Sequence, residues 1–294
     1  MIDLHCHTTN SDGTWSTKKL LEEAEKQKIE VLSITDHDTA YAHIEIKNDI
    51  YLRKAFSGKI IIGAELNCTF NGVKIEILAY DFDIEPVQRW LENYYTVKKN
   101  EKRLIDEFEE LKKLCEIKGI KLDKEISYNP QKEYPVDVIY NNMKKYEENK
   151  EFFEEDVWND IALFFRTSTV DKKFPLYRDF SRQMPTLEFY NYFIHKHHGK
   201  IFIAHLYKYN LKNHIEYLNK ITQKKLIDGI EVYHSSFSNE QIETLKEYCK
   251  EHNLIISGGS DCHGEKKANR KLGVGYGNLN INKKIIDNWD INTY

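Results

Sequence analysis

Apolar positions along residues 1–85 follow two alternating periods. Ile29–Ile34, Ile60–Ile62 and Val73–Tyr80 have the length and composition of strands, while Leu20, Leu21 and Ala24 recur at the spacing of one helical face behind a capping Ser16. The rhythm then changes. Residues from about 88 to 118 carry charges around an apolar stripe, which predicts one long amphipathic helix ending near Gly119. Residues 120–184 are rich in Tyr, Asn, Lys and Phe, with weak periodicity. From residue 185 the first pattern returns. Pro185-Thr186 opens a helix expected to stop at His198-Gly199, followed by strands at Ile201–Ala204 and Gly229–Tyr233, a helix with the capping box Ser238…Gln241, and a strand at Leu254–Ser257. Repeated strand, helix, strand implies parallel pairing. The expectation is an α/β barrel-like domain in two pieces, residues 1–87 and 185–294, interrupted by a mostly helical insert over 88–184.

Bulk composition narrows the function without naming it. The 294 residues suffice for one large domain carrying an insert, and 40% hydrophobic with 31% charged residues is ordinary for a globular chain. A net charge of -4, with both signs mixed, gives no basic stripe for an extended duplex; a nucleotide or a short oligonucleotide end needs only local charge. Cysteines 6, 68, 115, 249 and 262 are odd in number and form no CxxC pair, which fits a reducing compartment rather than a disulfide framework. Met1-Ile2-Asp3-Leu4-His5 has no basic-then-apolar leader, and no run approaches the roughly 18 apolar residues of a membrane span. A cytoplasmic protein with no membrane partner is expected.

The candidate chemistry begins at His5-Cys6-His7. Side chains alternate across an extended segment, so the two imidazoles point one way and Cys6 the other. Asp12 follows in Ser11-Asp12-Gly13, and Asp36-His37-Asp38 comes just after the strand ending at Ile34. Glu65 follows Ile60–Ile62, His205 closes Ile201–Ala204, and Asp261-Cys262-His263 follows the last strand through Ser257-Gly258-Gly259-Ser260. Strand ends are where parallel α/β folds gather their active sites, and five of them deliver His or carboxylate here. A polynuclear metal site is the expectation. No histidine lies between His43 and His195, so the middle of the chain adds little to it.

These stretches, with Asp3-Leu4-His5-Cys6-His7, Ile34-Thr35-Asp36-His37-Asp38-Thr39, Gly63-Ala64-Glu65, Ala204-His205, Ile230-Glu231-Val232-Tyr233 and Gly259-Ser260-Asp261-Cys262-His263-Gly264 in order, resemble the polymerase-and-histidinol-phosphatase (PHP) family of metal-dependent phosphoesterases. The resemblance covers about residues 1–83 and 185–275 and is nearest to a subgroup with a helical insert that removes phosphate from nucleotides or nucleic-acid ends. It implies a distorted (β/α)7 barrel and two to three divalent metal ions, Mn, Fe or Zn. Carried over, His5, His7, Glu65 and Asp261 would hold one ion, Glu65 and His205 a second, and Asp12, His37 and His263 a third.

Glu76 departs from the family pattern, standing in Glu76-Ile77-Leu78-Ala79-Tyr80 where the family has a histidine. Glu76 shares a face with Lys74 and Leu78, opposite Val73, Ile75, Ile77 and Ala79, so it can still reach the site as an oxygen ligand favouring harder ions. Asp36 and His37 are the catalytic candidates, with Asp36 or Asp38 orienting His37. Lys208, Arg166, Arg178 and His234 are candidates for substrate contact, whereas His195, His197 and His198 crowd a helix end and read as structural. Leu206 stands where the subgroup has a proline. Cys6 and Cys262 read as buried core thiols, and the Tyr-rich insert could stack a base, although Tyr is abundant throughout. The favoured reading is hydrolysis of a small phosphorylated metabolite, foremost a nucleotide, by a metal-activated water. Histidinol-phosphate hydrolysis and an inactive PHP-like binding module are the alternatives.

Overall fold

In the computed structural model, residues 1–168, 173–179 and 184–294 are described. The strands are β1 (Ile2–Asp3), β2 (Val31–Leu32), β3 (Lys59–Ile60), β4 (Gly63–Phe70), β5 (Val73–Tyr80), β6 (Lys200–Ile203), β7 (Gly229–His234) and β8 (Ile255–Gly259). The helices are α1 (Thr17–Lys26), α2 (Tyr41–Asn48), α3 (Ile50–Arg53), α4 (Ile84–Tyr94), α5 (Val97–Lys118), α6 (Pro135–Met143), α7 (Glu155–Asn159), α8 (Ile161–Ser168), α9 (Leu187–Lys196), α10 (His214–Gln223) and α11 (Asn239–His252).

Ladders join these strands into two sheets of a mixed α/β fold, ordered β1-β2-β3 and β4-β5-β6-β7-β8. Among the described residues, the strands of the distorted (β/α)7 barrel implied by the resemblance do not close into one barrel. Strands β1 to β3 contribute two residues each, and beyond them the chain leaves ladder geometry. Single parallel bridges then connect the sheets, Cys6 to Cys262 on one side and His37 to Glu65 on the other. Parallel pairing also holds only in part, because β5 runs antiparallel to both β4 and β6. The cause is a two-residue turn. Asn71 and Gly72 both take positive φ (52° and 79°), the conformation of a tight hairpin that Asn-Gly supplies at little steric cost.

Most of the anticipated helix signals are in place. Ser16, Thr186 and Ser238 accept backbone N–H bonds from Lys19, Phe189 and Gln241, and the Ser238–Gln241 capping box is complete. The long helix expected from 88 to 118 is two helices, because Thr96 takes an extended conformation and caps α5 through Lys99 N–H. Gly119 does terminate α5, at φ 76°. At the end of α9 it is His198, not Gly199, that adopts positive φ. Gly199 is needed for contact instead: a Cβ there would lie 2.7 Å from atoms of Ile194 and Phe82 and 3.0 Å from the Tyr80 carbonyl.

Alternation along β5 sends Ile75, Ile77 and Ala79 to the core beneath α4, α9, α10 and α11, and Leu78 and Tyr80 to an inner core with Ile2, Leu4 and Phe202. Trp289 closes that inner core, its ring 4.6 Å from Phe202 and its N–H donated to the Ile256 carbonyl. A third core lies under α1 and α2. Helices α5 to α8 gather around a fourth, which includes Phe108, Ile139, Met143, Trp158 and Phe164. Among the described residues, no helix is long and apolar enough to cross a membrane.

Candidate metal centre

Every proposed ligand converges on one mouth of the fold. Glu65 is its hub: Oε2 lies 3.2 Å from His5 Nε2, 3.3 Å from His7 Nε2 and 3.2 Å from His37 Nδ1, while Oε1 lies 2.7 Å from His205 Nε2. Glu65 is the third residue of β4 rather than a strand-end residue, and Glu76 sits in mid-β5 opposite Asn67, so the hairpin supplies two carboxylates from within strands. Glu76 faces the site, its Oε2 3.2 Å from His205 Nε2. On the other side Asp261 Oδ1 lies 3.3 Å from His7 Nε2 and 3.8 Å from His5 Nε2, and Asp12 Oδ1 lies 3.2 Å from His263 Nε2 and 3.7 Å from His37 Nε2. Four overlapping groups have ligand atoms within 4.8 Å of one another: His7-Asp12-His37-His263, His5-His7-Asp261, His5-Glu65-His205 and His37-Glu65-Glu76.

Buried partners hold these side chains from behind. Glu231 accepts from His5 Nδ1 at 2.7 Å and from the His205 backbone N–H at 2.7 Å, leaving His5 Nε2 to face Glu65. That N–H bond helps hold His205 at φ 25°, a conformation rare outside glycine. Asp3 accepts from the N–H groups of His5, Ser260 and Gly273 and ties β1 to the loop bearing Asp261. Asp36 accepts from Thr8 N–H (2.7 Å), Thr8 Oγ1 (2.6 Å) and Ser11 Oγ (2.6 Å), so the structure places it on the loop carrying Asp12 rather than on the ligand cluster. Asp38 accepts from Asn67 N–H and Nδ2 and so braces β4.

The donor set fits divalent cations. His5 Nε2, both ring nitrogens of His7, His37 Nδ1 and Asp12 Oδ1 are buried without a hydrogen bond, an arrangement that is costly unless something electropositive sits among them. Protonation tendencies agree, since ligands must be neutral imidazoles and ionised carboxylates. Burial lowers the His7 pKa to about 3. Burial and the nearby Glu65 raise Glu76, but bonding to His205 outweighs them and leaves it at about 2. Against burial, the imidazoles around Glu65 hold it well below the usual carboxylate range. His5 and His205 are exceptions: against burial, Glu231 and Glu65 draw His5 well upward, and Glu65 and Glu76 raise His205.

A cationic rim overlies the carboxylates. Lys208 Nζ lies 3.2 Å from Asp261 Oδ2, Lys266 Nζ 2.9 Å from Asp12 Oδ2, and Lys267 Nζ 3.0 Å from His263 Nε2; Arg270 pairs directly with Asp261. His234 is buried, with Nε2 3.3 Å from Asp261 Oδ2 and Nδ1 against Ser236 Oγ, so it touches a candidate ligand from below. Arg178 is a correction: it is buried against Glu107 and Glu110 of α5 and braces the helical segment instead of contacting substrate. Arg166 belongs to α8, but its side chain lies outside the described residues.

The PHP domain family profile matches residues 3–161. This chain belongs to the PHP domain family. Over 281 residues it is 26% identical to a 5'-3' exoribonuclease of Haemophilus influenzae, covering 89% of each chain, and over 84 residues 33% identical to the exoribonuclease Rnm of Escherichia coli, covering 29% and 28%. A Bifidobacterium adolescentis protein assigned as a metal-dependent phosphoesterase shares the fold (TM-score 0.61, 22% identity, 97% and 93% coverage). So does an amidohydrolase of Chromobacterium violaceum solved with sulfate and no metal (TM-score 0.59, 22% identity, 90% and 88% coverage).

Within this PHP chain the sequence assigns no role to Asp3, Glu231, Lys266, Lys267 or Arg270, all of which the structure brings to the centre. For Glu231 a signal existed, since it interrupts the apolar run Gly229-Ile230-Glu231-Val232. His195 and His198 pair instead with Asp228 and Asp83 away from the centre, as Cys6 and Cys262 are buried thiols.

Proposed function

We propose that this chain is a metal-dependent phosphoesterase that hydrolyses a phosphate ester of a nucleotide or of a short oligonucleotide end. One observation carries the reading: interlocked His and carboxylate groups with unpartnered buried nitrogens lie beneath a rim of Lys and Arg side chains. The chain's family membership supports the reaction class, and the exoribonuclease name of the relative that matches along nearly its whole length supports a nucleic-acid phosphoester. Residues 1–87 and 185–294 form the catalytic part of this reading, with 88–184 as an insert beside it.

His5, His7, Glu65 and Asp261 would hold one divalent cation, Glu65, Glu76 and His205 a second, and Asp12, His37 and His263 a third. Such cations supply Lewis acidity toward phosphoryl oxygens and acidify a water. The chain's own residues do the positioning. Glu231 fixes the His5 ring with Nε2 forward, Asp36 holds the loop that presents Asp12, and Arg270 fixes Asp261. Lys208 offers its ammonium where the phosphoryl oxygens would lie; the carboxylates of Asp261, Glu65 and Glu76 raise its pKa against burial and keep it charged.

The test is turnover by Mn²⁺-loaded protein of 5'-phosphorylated short RNA, mononucleotides and histidinol phosphate. Release of phosphate or nucleotide from the first two, abolished by chelator and reduced at least 100-fold by His37→Ala, is expected. No turnover of any ester with metal confirmed bound favours a binding module instead.

A further inference from the structure

A cavity of about 380 Å³ opens between β4–β5 and the helical segment, within the size range of small-ligand sites. Asn67, Lys74, Arg103, Tyr134 and Phe165 are among its walls. Lys74 and Phe165 also line the neighbouring pocket over Glu76, His205 and Lys208, so the two spaces adjoin. Strand register fixes their relation. Asn67 pairs directly with Glu76 and lies two residues from Glu65, about 7 Å along β4, with its side chain on the same face.

The cavity walls differ from the centre. Tyr134 and Phe165 expose 69% and 47% of their surfaces, far more than core aromatics do. Arg103 is held at one wall, its guanidinium 4.7 Å from the Tyr94 ring and 5.2 Å from the Tyr95 ring, with N–H bonds to the Tyr94 carbonyl and Asn100 Oδ1. Asn67 spends its N–H and Nδ2 on Asp38, and its Oδ1 is buried with no hydrogen-bond partner. Exposed aromatic surface in a cavity beside the centre suits a flat ligand that can stack on it.

We propose that this cavity is a nucleobase subsite, holding the base of the nucleotide whose phosphate lies over Glu76, His205 and Lys208, with Tyr134 and Phe165 as stacking faces. The proposal rests on the phosphoesterase reading and supplies the part of the substrate that the centre does not contact. A base stacks on either ring with little dependence on its identity, so the subsite selects nucleotides over simple phosphate esters more than one base over another.

Two measurements test it on Mn²⁺-loaded protein. Calorimetry with non-hydrolysable phosphonate analogues of adenosine 5'-monophosphate and ribose 5-phosphate should show the adenosine analogue binding at least about five-fold tighter, the scale of one base stacked on an aromatic ring. Tyr134→Ala, outside the phosphate pocket, should erode that preference while binding of the ribose analogue stays within about two-fold, below the scale of a lost stacking contact; Phe165→Ala, which borders both spaces, should weaken the adenosine analogue more than the ribose analogue. Steady-state turnover of the parent esters should show the same preference in kcat/KM. Equal binding of the two analogues by the wild type, or an equal loss for both in the variants, overturns the subsite. Preferential adenosine binding with no turnover of either ester or of 5'-phosphorylated short RNA supports the subsite and refutes the phosphoesterase reading. Equal turnover of both esters does the reverse.

Discussion

Which nitrogen of His5 faces the centre is decided by a buried carboxylate behind it. Glu231 takes the His5 Nδ1 side and so leaves Nε2 for a cation, and the same carboxylate anchors the strained backbone of His205. Partners of this kind matter nearly as much as the ligands they orient. Glu231→Gln is therefore expected to weaken Mn²⁺ binding by about 10- to 100-fold, read by competition with a chelator, with the fold retained by far-ultraviolet circular dichroism. An unchanged affinity would mean that His5 is aligned by something else. That these side chains gather was legible because residue type and position agreed: His5 and His7 are spaced for one face, and His37, His205, Asp261 and His263 follow strands. Lys267 and Arg270 were not, because a basic stretch in a loop has no period that tells which way its side chains point.

At the scale of elements, the β4–β5 hairpin sets the geometry of the centre and of the cavity beside it. Its register places Glu76 opposite Asn67 and keeps Glu65 and Glu76 on the same inner face; a slip of one residue would put them on opposite faces. Asn71-Gly72 fixes that register through two consecutive left-handed residues. Gly72→Ala should cost about 1–2 kcal/mol of stability, the scale of forcing a Cβ into that conformation, read as a lower urea midpoint at constant slope. No shift would show that the turn relaxes and that strand packing alone sets the register. Asn-Gly was visible in the sequence, yet strand–helix repetition on either side argued for parallel pairing, and the broader pattern was the wrong guide there. Caps at Ser16, Thr186 and Ser238 were legible because each is a local contact between a hydroxyl and an N–H three residues on. The break at Thr96 was not, since the apolar stripe runs through it while the direction of the helix changes.

For the whole molecule, the two sheets meet through single bridges with backbone hydrogen bonds such as His7 N–H to the Cys262 carbonyl and Asp38 N–H to the Glu65 carbonyl, and the candidate ligands lie at those seams: Cys6–Cys262 beside His5, His7, Asp261 and His263, and His37–Glu65 itself. Divalent cations bound across both seams would join the sheets from within, so folding and metal loading should be linked. The sequence pointed to the convergence of His5, Glu65, His205 and His263 but not to the seams, because no local pattern reports where a sheet is interrupted. The most direct measurement is anomalous diffraction from crystals of Mn²⁺-loaded protein. At least two anomalous peaks are expected among His5, His7, Glu65, His205 and Asp261, with a third near Asp12, His37 and His263. A loaded crystal with no peak bounded by Glu65 and its histidines would contradict the account.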